Sequence, residues 1–246
     1  MDAILVRIGI DQSYGGWNAP VSAQSGEFVY FPIPEDPRFA FRKGMRKTYT
    51  EFKEPLKIFC KRYSKSFEAI HYPDKRLNGK AIHLDPDFSY LTYGDNGDRR
   101  GSGNAKLQKD DFIVFYAGLS PLEEFKYPLW YGLVGIYFVD QVVSVKNINP
   151  NLYIENAHTR KIEIGMQDIV VCAQKGISGR LKSSILIGEY RNRSYRVTKD
   201  ILKKWGGLSV KDGYIQRSAI PPHFINPKQF LNWLENQNYE VIERNN

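Results

Sequence analysis

The residues best able to do chemistry in this 246-residue chain fall in two short stretches. In Lys80–Phe88, KAIHLDPDF, the residues His83, Asp85 and Asp87 alternate. If that segment is extended they share one face, because side chains along a strand alternate with period two. Pro86 makes the segment an edge strand or an extended loop, since proline cannot donate to a ladder. Three ionisable groups on one face are poor core material, because buried charges need partners. Two neighbouring carboxylates also push each other's pKa apart, which can give one acid and one base. The second stretch is Val6–Pro20, VRIGIDQSYGGWNAP. It brings a carboxylate (Asp11), a hydroxyl (Ser13), two aromatics (Tyr14, Trp17) and paired glycines (Gly15, Gly16). Such glycines allow positive φ or close approach of the backbone to a ligand.

These residues sort into roles. Asp11, Asp85, Asp87 and His83 are the candidate acid–base groups. Arg7, with one of Arg99 or Arg100, could hold a phosphate in a charge-assisted fork, and Tyr14 or Trp17 could stack a base. Ser13, Gly15 and Gly16 complete the candidate substrate loop. The competing structural role is that Asp11 and Asp87 cap turns and Arg7 pairs with one of them. H-x-D-x-D could also ligate Mn²⁺, Mg²⁺ or Fe²⁺. None of the other histidines (His71, His158, His223) is spaced as an evident second ligand, so a metal-free, cofactor-free centre is expected. Ser13 lacks the G-x-S-x-G setting of a hydrolase nucleophile. Gly94–Gly103, GDNGDRRGSG, reads as a flexible loop without the lysine and hydroxyl of a P-loop.

The elements around these residues read as follows. Ala3–Ile10 and Glu27–Ile33 are expected as strands, and a helix is expected to begin at Pro55. On that helix Leu56, Phe59, Cys60 and Tyr63 share a face, which makes Cys60 a core thiol. FIVFYAGL and LWYGLVGIYFVDQVVSV are expected as neighbouring buried strands, with a bulge or bend at Gly132 and Gly135. Asp168–Ala173 is another buried strand. Thr198 should cap a short helix ended by Gly206 and Gly207, and Asn226-Pro227 should open a last one. No linker divides the chain, so one domain is expected over residues 1–246. The fold class is α+β: a strand-rich mixed sheet or PUA-like barrel with helices packed outside.

Composition narrows the partner. There is no apolar run long enough to span a bilayer and no signal-peptide plan at the N-terminus. Two cysteines, Cys60 and Cys172, are too few for a disulfide framework. A reduced, cytoplasmic protein without a membrane partner is expected. The net charge of +8 is segregated: Arg42–Lys65 and Lys175–Lys204 each carry nine basic and two acidic residues, leaving the remainder negative. Segregated basic charge is the footprint of a polyanion binder, although solvated surfaces also carry such runs.

The chain resembles the third class of nucleotide-modification-associated domains. The resemblance rests on RIGIDQSYGGWNAP (Arg7–Pro20), FPIP (Phe31–Pro34), HLDPD (His83–Asp87), Tyr93-Gly94, and DDFIVFYAGL followed by LVGIYFV. It covers roughly the first 140 residues. A second similarity, in the middle of the chain, is to PUA-like barrels such as EVE and ASCH, which hold a modified or flipped base in an aromatic pocket. The first resemblance implies a place among systems that alter bases in DNA, often in phages and bacterial defence loci. Its reaction is not implied.

Three functions follow as expectations. The first is an enzyme acting on a nucleobase or nucleotide through an acidic, glycine-rich pocket. The second is a non-catalytic reader of a modified base in nucleic acid. The third is a scaffold subunit meeting other proteins of a base-modification system.

Overall fold

Two apolar runs, Phe112–Pro121 and Trp130–Ser144, form the centre of the protein. The computed structural model describes residues 1–97, 103–148, 154–216 and 220–246. In chain order the first elements are β1 (Ala3–Arg7), β2 (Pro20–Val21), β3 (Ile33–Pro34), α1 (Thr50–Arg62) and α2 (Asp74–Leu77). Next come β4 (Ile82–His83), β5 (Thr92–Asp95), β6 (Phe112–Pro121), β7 (Trp130–Ser144), β8 (Ile169–Ala173) and β9 (Gly179–Leu186). The chain continues with β10 (Gly188–Arg191), β11 (Ser194–Val197), α3 (Lys199–Lys204), α4 (Pro227–Glu235) and β12 (Val241–Ile242).

The architecture is α+β, organised on an open mixed sheet, and the described strands close no barrel. β1 and β2 pair parallel to β6, and β6 pairs antiparallel to β7. The fifteen-residue β7 then serves two further partners: its first half pairs with β9 and its second half with β8. β8 in turn carries β5. A register shift sits where Phe115 pairs with Gly135 and Tyr116 with Leu133, leaving Val134 as the extra residue. The bulge expected near Gly132 and Gly135 is therefore present.

Both faces of this sheet are buried, and the sequence period explains it. On β6, Ile113, Phe115, Ala117 and Leu119 enter one apolar cluster, while Phe112, Val114 and Tyr116 enter the other. On β1, Ile4 and Val6 alternate with Ala3 and Leu5 in the same way. The first cluster is closed by Leu56, Phe59 and Cys60 of α1, together with Trp17, Phe31 and Tyr72. The second is closed by Trp205 after α3 and by Phe230 and Leu234 of α4. Each such large side chain contributes about 1.5–3 kcal/mol on burial.

Local signals account for most helix ends. The Thr198 hydroxyl accepts from the Ile201 N–H and the Asn226 side chain from the Gln229 N–H, so both expected caps form. Two expectations change. α1 begins at Thr50, five residues before Pro55, which lies inside the helix. Its first turn is fixed by Glu51, whose carboxylate accepts from the Thr48 N–H. The strand expected over Glu27–Ile33 forms only as isolated bridges at Glu27 and Phe28 and as β3. The apolar side chains of that segment (Phe28, Val29, Tyr30, Phe31) are all buried in the first cluster, so packing rather than a ladder holds it. No described helix is long and apolar enough to cross a membrane.

Candidate functional site

His83 ends β4, which pairs antiparallel with β3 so that Ile33 lies opposite His83. That pairing brings Glu35, just past β3, to the imidazole: Glu35 Oε2 lies 2.9 Å from His83 Nδ1. Burial works against the Glu35 charge, but His83 and Lys161 outweigh it and hold the carboxyl below its usual range. An ionised carboxylate can only accept, so Nδ1 carries a proton and Nε2 is the ring nitrogen turned away from Glu35.

Asp85 follows two residues later and is fixed by one of its oxygens. Oδ1 accepts from the Gly94 N–H at 2.7 Å and from Asn156 Nδ2 at 3.0 Å. Oδ2 faces two imidazoles, His83 Nε2 at 3.7 Å and His158 Nε2 at 4.0 Å. Burial pushes the Asp85 carboxyl up to about 7, against the opposing pull of His158, Gly94 and Asn156.

His158 comes from the connection between β7 and β8. Asn156 Oδ1 accepts the His158 N–H at 2.9 Å, and the Thr159 hydroxyl ties residues 154–159 into the same small network. His158 Nδ1 lies 3.2 Å from Asp168 Oδ2, close enough to pair though not aligned as a hydrogen bond. Burial opposes the Asp168 charge, and His158 with the Gly165 N–H lowers its pKa nonetheless. Gly94 on β5 is indispensable to this packing: a Cβ there would meet His158 Cδ2 at 2.3 Å and Asn156 Oδ1 at 2.4 Å.

The result is a buried cluster in which ligand atoms of His83, Asp85 and His158 all lie within 4.8 Å of one another. The side chains of Asp85 and His158 are each 4% exposed, whereas that of His83 is 18% exposed. Access to the cluster therefore runs past His83. Three buried tyrosines brace it: the Tyr30 hydroxyl donates to the Pro86 carbonyl, the Tyr137 hydroxyl to that of Asp87, and Tyr93 lies on β5. Neither of two small cavities elsewhere includes this cluster. One is apolar, between Gly9 and Val134, and the other, of about 110 Å³, lies between Asn18, Lys65 and Ser120.

The remaining residues singled out in the sequence go to other places. Asp87 is fully buried, 2.6 Å from Arg160 Nη2, and also accepts from Asn245 Nδ2 and the Ser89 N–H. It points away into an ion pair rather than toward His83 and Asp85. Asp11 Oδ2 pairs with Arg7 Nη2 at 2.8 Å, and its Oδ1 accepts from the Ser13 and Tyr14 N–H groups. This is a turn closed by an aspartate, the arrangement such residues favour. Arg7 also donates to the Gln216 carbonyl and lies over the Tyr131 ring. Gly15 and Gly16 both have positive φ, and a Cβ at Gly16 would strike the Arg76 guanidinium. Trp17 is buried against Phe31 and Tyr72, its indole N–H donating to the Ile70 carbonyl. Tyr14 alone of the loop's aromatics is open, at 58% exposed. No described contact joins Asp11 to Asp85. Arg99 and Arg100 lie outside the described residues.

Sequence reasoning missed Glu35, Asn156, His158 and Asp168. Asn156 to Lys161, NAHTRK, is almost wholly polar and reads as a surface loop, and only the fold reveals that every residue in it is buried.

A family model described as Nucleotide modification associated domain 3 matches residues 2–214. The chain belongs to that family. The match takes in every residue of the cluster, and the family's description ties the chain to nucleotide modification and so to a nucleotide or nucleic-acid partner. No curated protein and no solved structure matches the chain.

Proposed function

We propose that this member of the nucleotide-modification family is an enzyme, and that its reaction on a nucleobase or nucleotide takes place at His83, Asp85 and His158. The observation that carries the reading is the convergence of two imidazoles on one oxygen of a buried carboxylate. Each imidazole has its own outer carboxylate, and one edge of the cluster is open. Here the Nε2 atoms of both rings are turned toward Asp85, an arrangement that stores proton-transfer capacity at a single point. Basic side chains exposed on α1, Lys57 and Lys61 among them, favour a substrate carried on a nucleic acid over a free base. The test is mass spectrometry of nucleosides digested from the DNA and RNA of cells expressing the wild-type chain or His83→Gln. A modified nucleoside present with the wild type and absent with the variant is expected. Identical profiles from cells that also supply the neighbouring genes would sink the assignment.

A further inference from the structure

We infer that His83, Asp85 and His158 form a mononuclear site for a divalent first-row transition metal, held by two imidazoles and one carboxylate with further positions open. The inference deepens the proposed function and rests on the same cluster, but it is read through binding and needs no turnover.

Four observations carry it. The first is donor type and direction. Two imidazole Nε2 atoms and one carboxylate oxygen converge, and this N,N,O set suits Fe²⁺, Zn²⁺, Mn²⁺ or Co²⁺ rather than Ca²⁺, which takes oxygen ligands. Donors at metal-ligand distance from one ion stand about 3.0–3.4 Å apart. The pairs at 3.7 and 4.0 Å need to close by about 0.3–1.0 Å, and all three ligand atoms already lie within 4.8 Å of one another.

The second is the surrounding layer. A metal-bound histidine usually gives its other ring N–H to a carboxylate, which fixes the tautomer and the ring. Both histidines have such a carboxylate beside Nδ1, Glu35 at 2.9 Å and Asp168 at 3.2 Å. The coordinating carboxylate is held likewise: Gly94 and Asn156 occupy Oδ1 and leave Oδ2 facing the two rings.

The third is charge. Glu35, Asp85 and Asp168 are buried together with one basic side chain, Lys161, whose ammonium lies 3.5 Å from Glu35. With all three carboxylates ionised, the described residues leave two negative charges there uncompensated, matching the charge of the ion proposed. Asp87, two residues from Asp85, has the guanidinium of Arg160, whereas among the described residues no lysine or arginine pairs with Asp85. The fourth is access: His83 keeps the cluster open on one side, where water or substrate can fill the remaining positions.

The experiment uses the full chain, purified, stripped with a chelator and titrated with Co²⁺. It is followed by visible absorption, with elemental analysis of the protein as isolated. One equivalent with d–d bands of a nitrogen–oxygen site is expected. Asp85→Asn and His158→Ala should abolish it, while Asp11→Asn should leave it unchanged. Glu35→Gln and Asp168→Asn, which touch no ion, should weaken binding roughly 10–100-fold. If His158→Ala does not fold by circular dichroism, His83→Gln, at the open edge, makes the same test. A folded wild-type chain that binds no Co²⁺, Fe²⁺ or Zn²⁺ overturns the inference, as does binding indifferent to these substitutions. Stoichiometric metal without any altered nucleoside would overturn only the proposed function. An altered nucleoside made by metal-free protein would overturn only the metal.

Discussion

Asp85 and Asp87 are two residues apart and both buried, yet their surroundings are opposite. Asp87 has a guanidinium at 2.6 Å and amide donors, so its charge is compensated. Asp85 has two N–H donors and two imidazoles, and among the described residues no lysine or arginine pairs with it. Removing one partner from a buried ion pair strands the other charge. Arg160→Met is therefore expected to cost about 3–5 kcal/mol in urea unfolding. Asp85→Asn keeps an oxygen for the Gly94 and Asn156 donors and removes the uncompensated charge. In metal-free protein it should unfold at a urea concentration equal to or above that of the wild type. A large loss there would mean that Asp85 is a structural ion-pair member like Asp87. The cysteines give a separate check. Burial pushes the Cys172 thiol from 9.0 up to about 11, with Asp140 adding to it, and burial also raises Cys60. The folded state thus holds the Cys172 proton where the unfolded chain has released it. The Cys172 contribution to stability is therefore expected to be present in full below pH 9 and to be lost as pH rises toward 11. Cys172→Ala should flatten that stretch of the stability–pH curve, and alkylation of the native thiols should stay slow below pH 9.

At the scale of elements, β7 ties the core to the site. Its bulge at Val134 turns Gly135 toward Phe88, the residue after Asp87, and a Cβ at Gly135 would meet the Phe88 ring at 2.7 Å and the Gly179 carbonyl at 3.0 Å. Gly135→Ala should cost about 1–3 kcal/mol as an overpacked core position. Because Phe88 lies three residues after Asp85, displacing its ring should also weaken any metal bound there. Equilibrium unfolding and Co²⁺ titration read the two effects separately; loss of stability with unchanged binding would uncouple β7 from the cluster. This bulge was legible in the sequence because glycine within a strand pattern has few other uses. The buried β6–β7 pair, the helix caps and the buried Cys60 were legible for similar reasons: each follows from a local period or a local hydrogen bond. His83 and Asp85 were legible as a pair because alternation puts them on one face. Asp87 was not separable from them by spacing. Its direction depends on Arg160, 73 residues later, and no local rule reports such a partner. His158 was invisible for the same reason. It reaches the cluster only because β5 pairs with β8 and the 154–168 connection folds back over Gly94.

For the molecule as a whole, the two basic stretches divide once their partners are known. In the first, Lys53 pairs with Asp74, Arg62 with Glu27 and Lys57 with Glu54, while Lys43, Lys61 and Lys65 are exposed with no ion pair among the described residues. In the second, Arg180 is buried and Lys182, Arg191, Arg196 and Lys204 pair with acids, while Lys175, Arg193, Lys199 and Lys203 stay exposed. Segregation of charge was therefore readable from sequence, but the count of cations free to meet phosphate was not. It is smaller than nine per stretch. This sets the size of the effect that nucleic-acid binding should display. Each phosphate neutralised on duplex DNA adds about 0.9 to the slope of log affinity against log salt. Binding of a fluorescent oligonucleotide should weaken with salt along a slope set by a few contacts. Lys61→Glu with Lys65→Glu should lower that slope by about one to two, with little change in any preference among sequences. Residues four apart on a helix face the same side, so Lys57 and Lys61 share a face of α1, and Lys65 follows just beyond its end. A salt-independent affinity, or binding no tighter for an oligonucleotide than for a mononucleotide, would remove the polyanion from the list of substrates. The chemistry at His83, Asp85 and His158 would then be confined to a free nucleotide, reached past the open edge of His83.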